Sequence, residues 1–326
     1  MKLFYTFFFL LICYQTYSQT EYSESDIRKM QKTYSFYLGQ LFNINEIIEN
    51  YPSYKQKAKS AQNLWNANFK TSIENIVSEL ESSLGVEFKI YEAELIKSMS
   101  RIDYSEITIE DIINTIDIVN NRASGDIPSP YLETLLTFNS IYRVQPEEEM
   151  IDGFINEYFT STSTKLDGLN IKFKYPKSWS SEIGDRPHVI QKFIHYRGYE
   201  FGSALIIIGK MDDVLSKSDI EFLLSEDGMK YQIPEHSKVI SVNTGLLIDN
   251  IPASLITVYY EQQQMNHKLG MISDIYVLYY RDYQITFMCS VGSTIDKYNE
   301  TYKRYSTNKK LYKRMANNIV VLSQYE

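Results

Sequence analysis

The 326 residues hold only two cysteines, Cys13 and Cys289, and four histidines. No Cys-x-x-Cys pair and no His-x-His or His-x-x-x-His spacing occurs, so thiol-redox chemistry and a local zinc site both lack their ligand pattern. A Gly-x-Ser-x-Gly elbow and a glycine-rich phosphate loop are also missing, which removes the usual marks of a serine hydrolase and of a nucleotide enzyme. Basic residues are outnumbered, 33 against 41, and nucleic acid demands a concentrated positive surface. After the first dozen residues no long apolar run appears. The most apolar later stretch, 203–209, is strand-sized. These absences predict no metal, no cofactor, no nucleic-acid partner and no transmembrane segment after signal removal.

What is present begins with an address. Lys2 and the apolar run 3–12 have the layout of a secretory signal peptide, too short to span a bilayer. Thr16 and Ser18 stand at small-residue spacing, so cleavage is expected after Ser18, giving an exported protein, periplasmic or secreted. Cys13 offers a lipoprotein alternative, disfavoured because Ile12 stands where lipid modification takes a small residue. The remaining chain has 32 basic and 41 acidic residues, a net −9. It keeps Cys289 alone, so no internal disulfide forms and packed cores must hold it.

The first half reads as helices. Met30, Tyr34, Tyr37, Leu38 and Leu41 lay one stripe on a helix capped by Ser25 and stopped by Pro52. Trp65, Phe69, Ile73, Ile76, Leu80 and Leu84 lay another, closed by Gly85, and the two are expected to pack antiparallel. Thr108 with Asp111 opens a third, with Ile109, Ile112, Ile113, Ile116 and Val119 apolar. Ser129-Pro130 restarts the chain, and Pro146-Glu147-Glu148-Glu149 starts a helix whose acids are expected to be solvated and to complement the dipole.

After Gly153 the period shifts toward two. Leu169, Ile171 and Phe173 share one face of a strand that Pro176 ends. Strands follow at 189–195, 203–209, 239–242, 246–248, 253–261, 271–280 and 283–291, with a turn at 243–245 and a two-residue hairpin at Arg281-Asp282. Ser218 with Glu221 is expected to box a short helix. Cys289 alternates with Phe287 and Val291 and reads as core. The helix from 294 to 316 is basic, with Lys303, Lys310, Lys313 and Arg314 beside a row of Tyr298, Tyr302 and Tyr305; a break near 306–308 is expected. Its 297–314 portion suits an acidic partner. The 319–322 end reads as a last strand or a frayed helix.

The run Gly168-Leu169-Asn170-Ile171-Lys172-Phe173-Lys174-Tyr175-Pro176-Lys177-Ser178-Trp179 is a strand closed by Pro-x-x-Trp. With Asp249-Asn250-Ile251-Pro252-Ala253, the strands around Tyr280-Arg281-Asp282-Tyr283 and the closing helix, it resembles the PsbP superfamily over 165–326. The whole arrangement is similar to exported bacterial proteins with the same corner. The resemblance implies an antiparallel sheet packed with helices. Because members are mostly non-enzymatic adaptors, it also implies binding rather than catalysis, and it carries no active residue across.

The fold class is therefore α+β: a signal at 1–18, a helical domain at 19–153 and a PsbP-like α/β sandwich domain at 154–326. The candidate contact residues are Asp185, Arg186 and His188, gathered on the Gly184–His188 connection between strands. The function expected is an exported, non-catalytic binding or adaptor protein of protein or small-molecule partners. The alternatives are an enzyme using that loop and a small-molecule carrier with a pocket between the domains.

Overall fold

The computed structural model describes residues 22–326 apart from 103, 105, 106, 164, 166, 167, 198, 199, 265 and 266. The signal segment, its cleavage site and Cys13 lie outside the described residues. The chain divides into two compact units between Val144 and Gln145. That division falls ahead of the 153/154 boundary expected from the change of period, so the Pro146 helix goes with the sheet.

In the first unit the apolar stripes become two long helices, α1 (Glu24–Asn50) and α2 (Lys55–Leu84). They run antiparallel, with Asn45 bonded to Gln62 and Phe36 facing Trp65. Ser23 with Asp26, two residues ahead of the expected Ser25, makes the capping box of α1, satisfying N–H groups that a helix start leaves open. Gly85 takes a φ of +55°, a left-handed value that ends α2 and swings the chain into α3 (Val86–Met99). Helix α4 (Ile109–Ala123) starts on the expected Thr108–Asp111 box. It buries Ile112, Ile116 and Val119 but leaves Ile109 and Ile113 exposed, because its packing partners α1 and α2 cover only one stripe. Two short helices, α5 (Tyr131–Thr137) and α6 (Ser140–Val144), complete the unit.

The second unit opens with α7 (Glu147–Ile151) and continues α+β. A small antiparallel sheet has the order β1-β2-β10, from β1 (Ile155–Phe159), β2 (Ile171–Pro176) and β10 (Val320–Val321). The large sheet has seven antiparallel strands. They are β3 (Ser180–Ile183), β4 (Val189–Arg197), β5 (Glu200–Lys210), β6 (Lys238–Ile248), β7 (Ile251–Gln264), β8 (His267–Tyr280) and β9 (Tyr283–Thr294), in the order β3-β4-β5-β9-β8-β7-β6. The expected turn at 243–245 is instead a bulge within β6, where Gly245 takes a φ of +72°. The expected cap Ser218–Glu221 is displaced to Ser216–Asp219, which opens α8 (Lys217–Leu223), followed by α9 (Glu226–Lys230).

Both faces of the large sheet are covered, which is why its central strands read as nearly unbroken apolar runs. One face buries Leu205, Ile256, Ile275 and Met288 in a cluster that Leu223, Leu224 and Met229 join from the α8–α9 segment. The other buries Ile206, Tyr276, Ile285, Phe287 and Cys289 beneath the small sheet and α10 (Tyr298–Asn317). Leu169, Ile171 and Phe173 belong to this second cluster, and the rings of Phe173 and Phe287 lie 5.1 Å apart. Helix α10 runs unbroken through 306–308. Ser306, Thr307 and Asn308 bond back to carbonyls one turn earlier, so residues that signal a turn in isolation are absorbed by the helix.

Candidate functional site

The 184–188 loop connects β3 to β4. Its residues do not converge. Asp185 turns to Lys192 at 3.4 Å, an ammonium that Glu182 also approaches at 3.2 Å. Arg186 is half-buried and has no carboxylate partner among the described residues, and His188 is exposed. The loop's shape comes from Lys165, which the sequence did not flag. Its ammonium donates to the carbonyls of Gly184, Arg186 at 2.9 Å and Val189 at 3.1 Å. Gly184 is required there, since a Cβ would stand 2.2 Å from the Val189 carbonyl oxygen.

The Pro-x-x-Trp corner is held from a distance. Trp179 is buried in the sheet core and its ring lies 5.9 Å from that of His195. The backbone N–H and the hydroxyl of Ser178 each donate to Glu149, both at 2.7 Å. Glu149 is 3% exposed and Glu147 is 7% exposed, so the acids expected to be solvated are inside. Burial pushes the Glu149 carboxyl up from its usual 4.5 to about 7, against the pull of the Ser178 and Lys177 donors. Glu147 lies 3.4 Å from Lys310 on α10. Glu148 is half-buried and the least enclosed of the three, because helix α7 is packed against both β2 and α10.

A third carboxylate sits under α10. Thr257, Asp274 and Cys289 are side by side on three neighbouring strands. Asp274 Oδ1 receives the hydroxyls of Thr257 at 2.7 Å and Tyr305 at 2.8 Å, while its Oδ2 is buried without a partner. Burial raises Asp274, and burial followed by the nearby Asp274 raises the Cys289 thiol well above its ordinary value. A thiol so held stays protonated and has no nucleophilic form at neutral pH. The cluster fastens α10 to the sheet.

Asp249 does the same for the chain end. With Asn250 it forms a two-residue turn in which both φ angles are positive, 51° and 62°. Its carboxylate accepts from the Val321 N–H at 2.8 Å, from Gln324, and from the Tyr325 hydroxyl at 2.7 Å. The Asp-Asn-Ile-Pro-Ala motif is thus a hairpin and an anchor.

The outer side of α10 is different in kind. The helix as a whole carries six basic residues against one acid. Lys303, Lys309 and Lys313 are exposed and have no ion-pair partner among the described residues. Tyr298 and Tyr302, 38% and 44% exposed, stack at 6.3 Å between Tyr259 and Tyr305. Among the described residues no group of three His, Cys, Asp or Glu is placed to hold a metal ion, and no helix is long and apolar enough to cross a membrane. What these residues can do chemically is hold an anionic, partly flat surface: cations on a rigid helix beside exposed aromatic faces.

No protein-family profile matches the chain, and no curated sequence is significantly similar to it. Among solved structures it overlaps the Ran-binding protein Mog1p of Saccharomyces cerevisiae at 10% identity and a TM-score of 0.33, over 48% of this chain and 92% of that one. It overlaps LpqN of Mycobacterium tuberculosis, a protein involved in cell envelope biogenesis, at 10% identity and a TM-score of 0.30, over 54% and 96%. A Pseudomonas aeruginosa protein of unknown function, PA94, overlaps at 13% identity and a TM-score of 0.27, over 51% and 95%. Overlaps at these scores assign neither a family nor an activity to this chain.

Proposed function

We propose that this chain is an exported, non-catalytic binding module with a PsbP-like second domain, and that the outer face of α10 receives an acidic segment of a partner protein. The observation that carries the reading is the combination on one helix of exposed Lys303, Lys309 and Lys313, which have no ion-pair partner among the described residues, with the exposed Tyr298–Tyr302 pair; the Lys309 ammonium lies 5.8 Å from the Tyr305 ring centre. A solvated basic helix alone would be ordinary, but large aromatic rings left in water beside it are not needed for solubility and suit an interface. The helix is held from below by the Tyr305 hydroxyl on Asp274 and by the buried Leu311, Tyr312 and Met315, so little ordering cost would fall on binding. The export part of the proposal rests on the charge, apolar run and small-residue spacing of residues 2–18. Catalysis at 184–188 has less support, since Asp185 is committed to Lys192.

The test is titration of a glutamate-rich peptide against the full chain, followed by calorimetry. Binding is expected to weaken steeply with added salt, and the Lys303→Glu, Lys309→Glu, Lys313→Glu variant is expected to lose at least about tenfold in affinity. Undiminished binding by that triple variant would sink the reading.

A further inference from the structure

Helix α7 is five residues long and places two carboxylates inside the sheet unit. Glu149 holds the corner through both Ser178 donors, and Glu147 reaches Lys310 with one oxygen while the other is buried without a partner. The helix therefore ties the Pro176–Trp179 corner on one side to the basic helix on the other. We propose that α7 is a proton-operated clasp on α10, seated while Glu149 carries a proton and loosened when Glu149 ionises, freeing Lys310 to join Lys303, Lys309 and Lys313. This rests on the reading of α10 as the partner-binding face and supplies its regulation.

The geometry gives the clasp its direction. The elements packed on α7 are β2 and α10; the charged or titratable residues they and α7 carry near this junction are Glu147, Glu148 and Asp152 on α7 and its cap, Lys172, Lys174, Tyr175 and Lys177 on β2 and its corner, and Lys309, Lys310, Tyr312, Lys313 and Arg314 on α10. None of these cations lies at ion-pair distance from Glu149 among the described residues, and Lys174 is already paired with Glu157. An ionised Glu149 is thus met only by two amides and one hydroxyl. Released into water, it would return to its ordinary value, so ionisation favours the unseated helix. A five-residue helix has no stability of its own to resist. The carboxyl's rise to about 7 in the seat makes the opening constant climb roughly 70-fold between pH 5 and pH 8.

Hydrogen exchange of the full chain, without any partner, tests this. The Phe154 amide, bonded to the Glu149 carbonyl at 3.0 Å, and the Ser178 amide are the reporters. After correction for intrinsic exchange, their protection is expected to fall tens of fold from pH 5.5 to pH 8.5 in the wild type and to stay level in Glu149→Gln. Level protection in the wild type, or the same fall in Glu149→Gln, overturns the clasp. Ser178→Ala keeps the acid and removes one donor to its charged form, so its midpoint is expected to move to higher pH; an unmoved midpoint also overturns it. In the second arm the glutamate-rich peptide is expected to bind several-fold tighter at pH 8.5 than at pH 6, with the difference absent in Lys310→Ala. If the peptide fails at every pH while protection follows Glu149, the binding reading falls and the clasp stands. If the peptide binds and protection is level, the reverse holds.

Discussion

The two units bury polar groups of different kinds. Among the described residues the buried polar side chains of the helical unit are Thr33, Gln40, Ser72, Thr134 and Asn139, all neutral, whereas the sheet unit buries Glu147, Glu149 and Asp274. The difference follows from how each unit closes. Helices satisfy their own backbones, so α1, α2 and α4 need only match apolar stripes. The sheet unit must also fix a corner, a covering helix and a chain end that cross it from far away in sequence. It does so with carboxylates: Glu149 to Ser178, Asp274 to Tyr305 and Asp249 to Val321 span 29, 31 and 72 residues. Two of these carboxyls, Glu149 and Asp274, are raised by burial, and that makes the sheet unit sensitive to pH; the helical unit has a long-range acid pin too, the Tyr34 hydroxyl on Glu92 across 58 residues, but there the raised group is the tyrosine.

The two tryptophans allow each unit to be followed alone, since Trp65 lies in α2 and Trp179 at the corner. The largest effect expected is from Phe173→Ala, at the centre of the sheet core, which costs about 3–5 kcal/mol. In a Trp65→Phe background the Trp179 denaturation midpoint should drop sharply. In a Trp179→Phe background the Trp65 midpoint should hold, and a joint shift would break the comparison. Next comes pH. Because Glu149 is raised in the fold, its contribution is full below its unfolded value near 4.5 and is lost as pH rises through about 7, a change of roughly 3 kcal/mol. Asp274 acts in the same sense. The sheet unit should therefore be more stable at pH 5 than at pH 8, measured by urea midpoints of the Trp179 signal. The helical unit should be level across that window, because Asp111 is lowered and acts at acid pH, while Tyr34, raised by burial and by Glu92, acts only in strong base. The smallest effects sharpen the contrast by equality. Thr108→Ala and Ser216→Ala each remove a capping box and should each cost about 1 kcal/mol in their own unit, because a cap is local whatever the core above it.

Those local devices were also the legible ones. Thr108 with Asp111 announces α4, and the alternation of Ile171, Phe173 and Tyr175 before a proline announces β2. The two residues Arg281-Asp282 between long β-rich runs announce the hairpin of β8 and β9. Helix α3 was not legible, because among its apolar residues only Phe88 is fully buried and no stripe stands out. Strand β3 escaped for the same reason, being four exposed residues at a sheet edge. The site fared similarly: the tyrosine row and lysines of α10 are visible as helical spacing, but Glu149, Asp274 and Lys165 carry no mark.

The sequence by itself determined the order of most helices and strands, the hairpin, the caps at Thr108 and Gly85 and the basic character of the last helix. These depend on neighbours within a few residues, where spacing and backbone preference act directly. Only the tertiary structure decided which acids are buried, that the corner hangs on Glu149, and that the 184–188 loop is shaped by Lys165 rather than by its own side chains. Burial is set by segments that arrive from tens of residues away, and a carboxylate's chemistry is set by burial. The same three letters, Glu147-Glu148-Glu149, spell a solvated turn on an isolated helix and a buried clasp once β2 and α10 close over it.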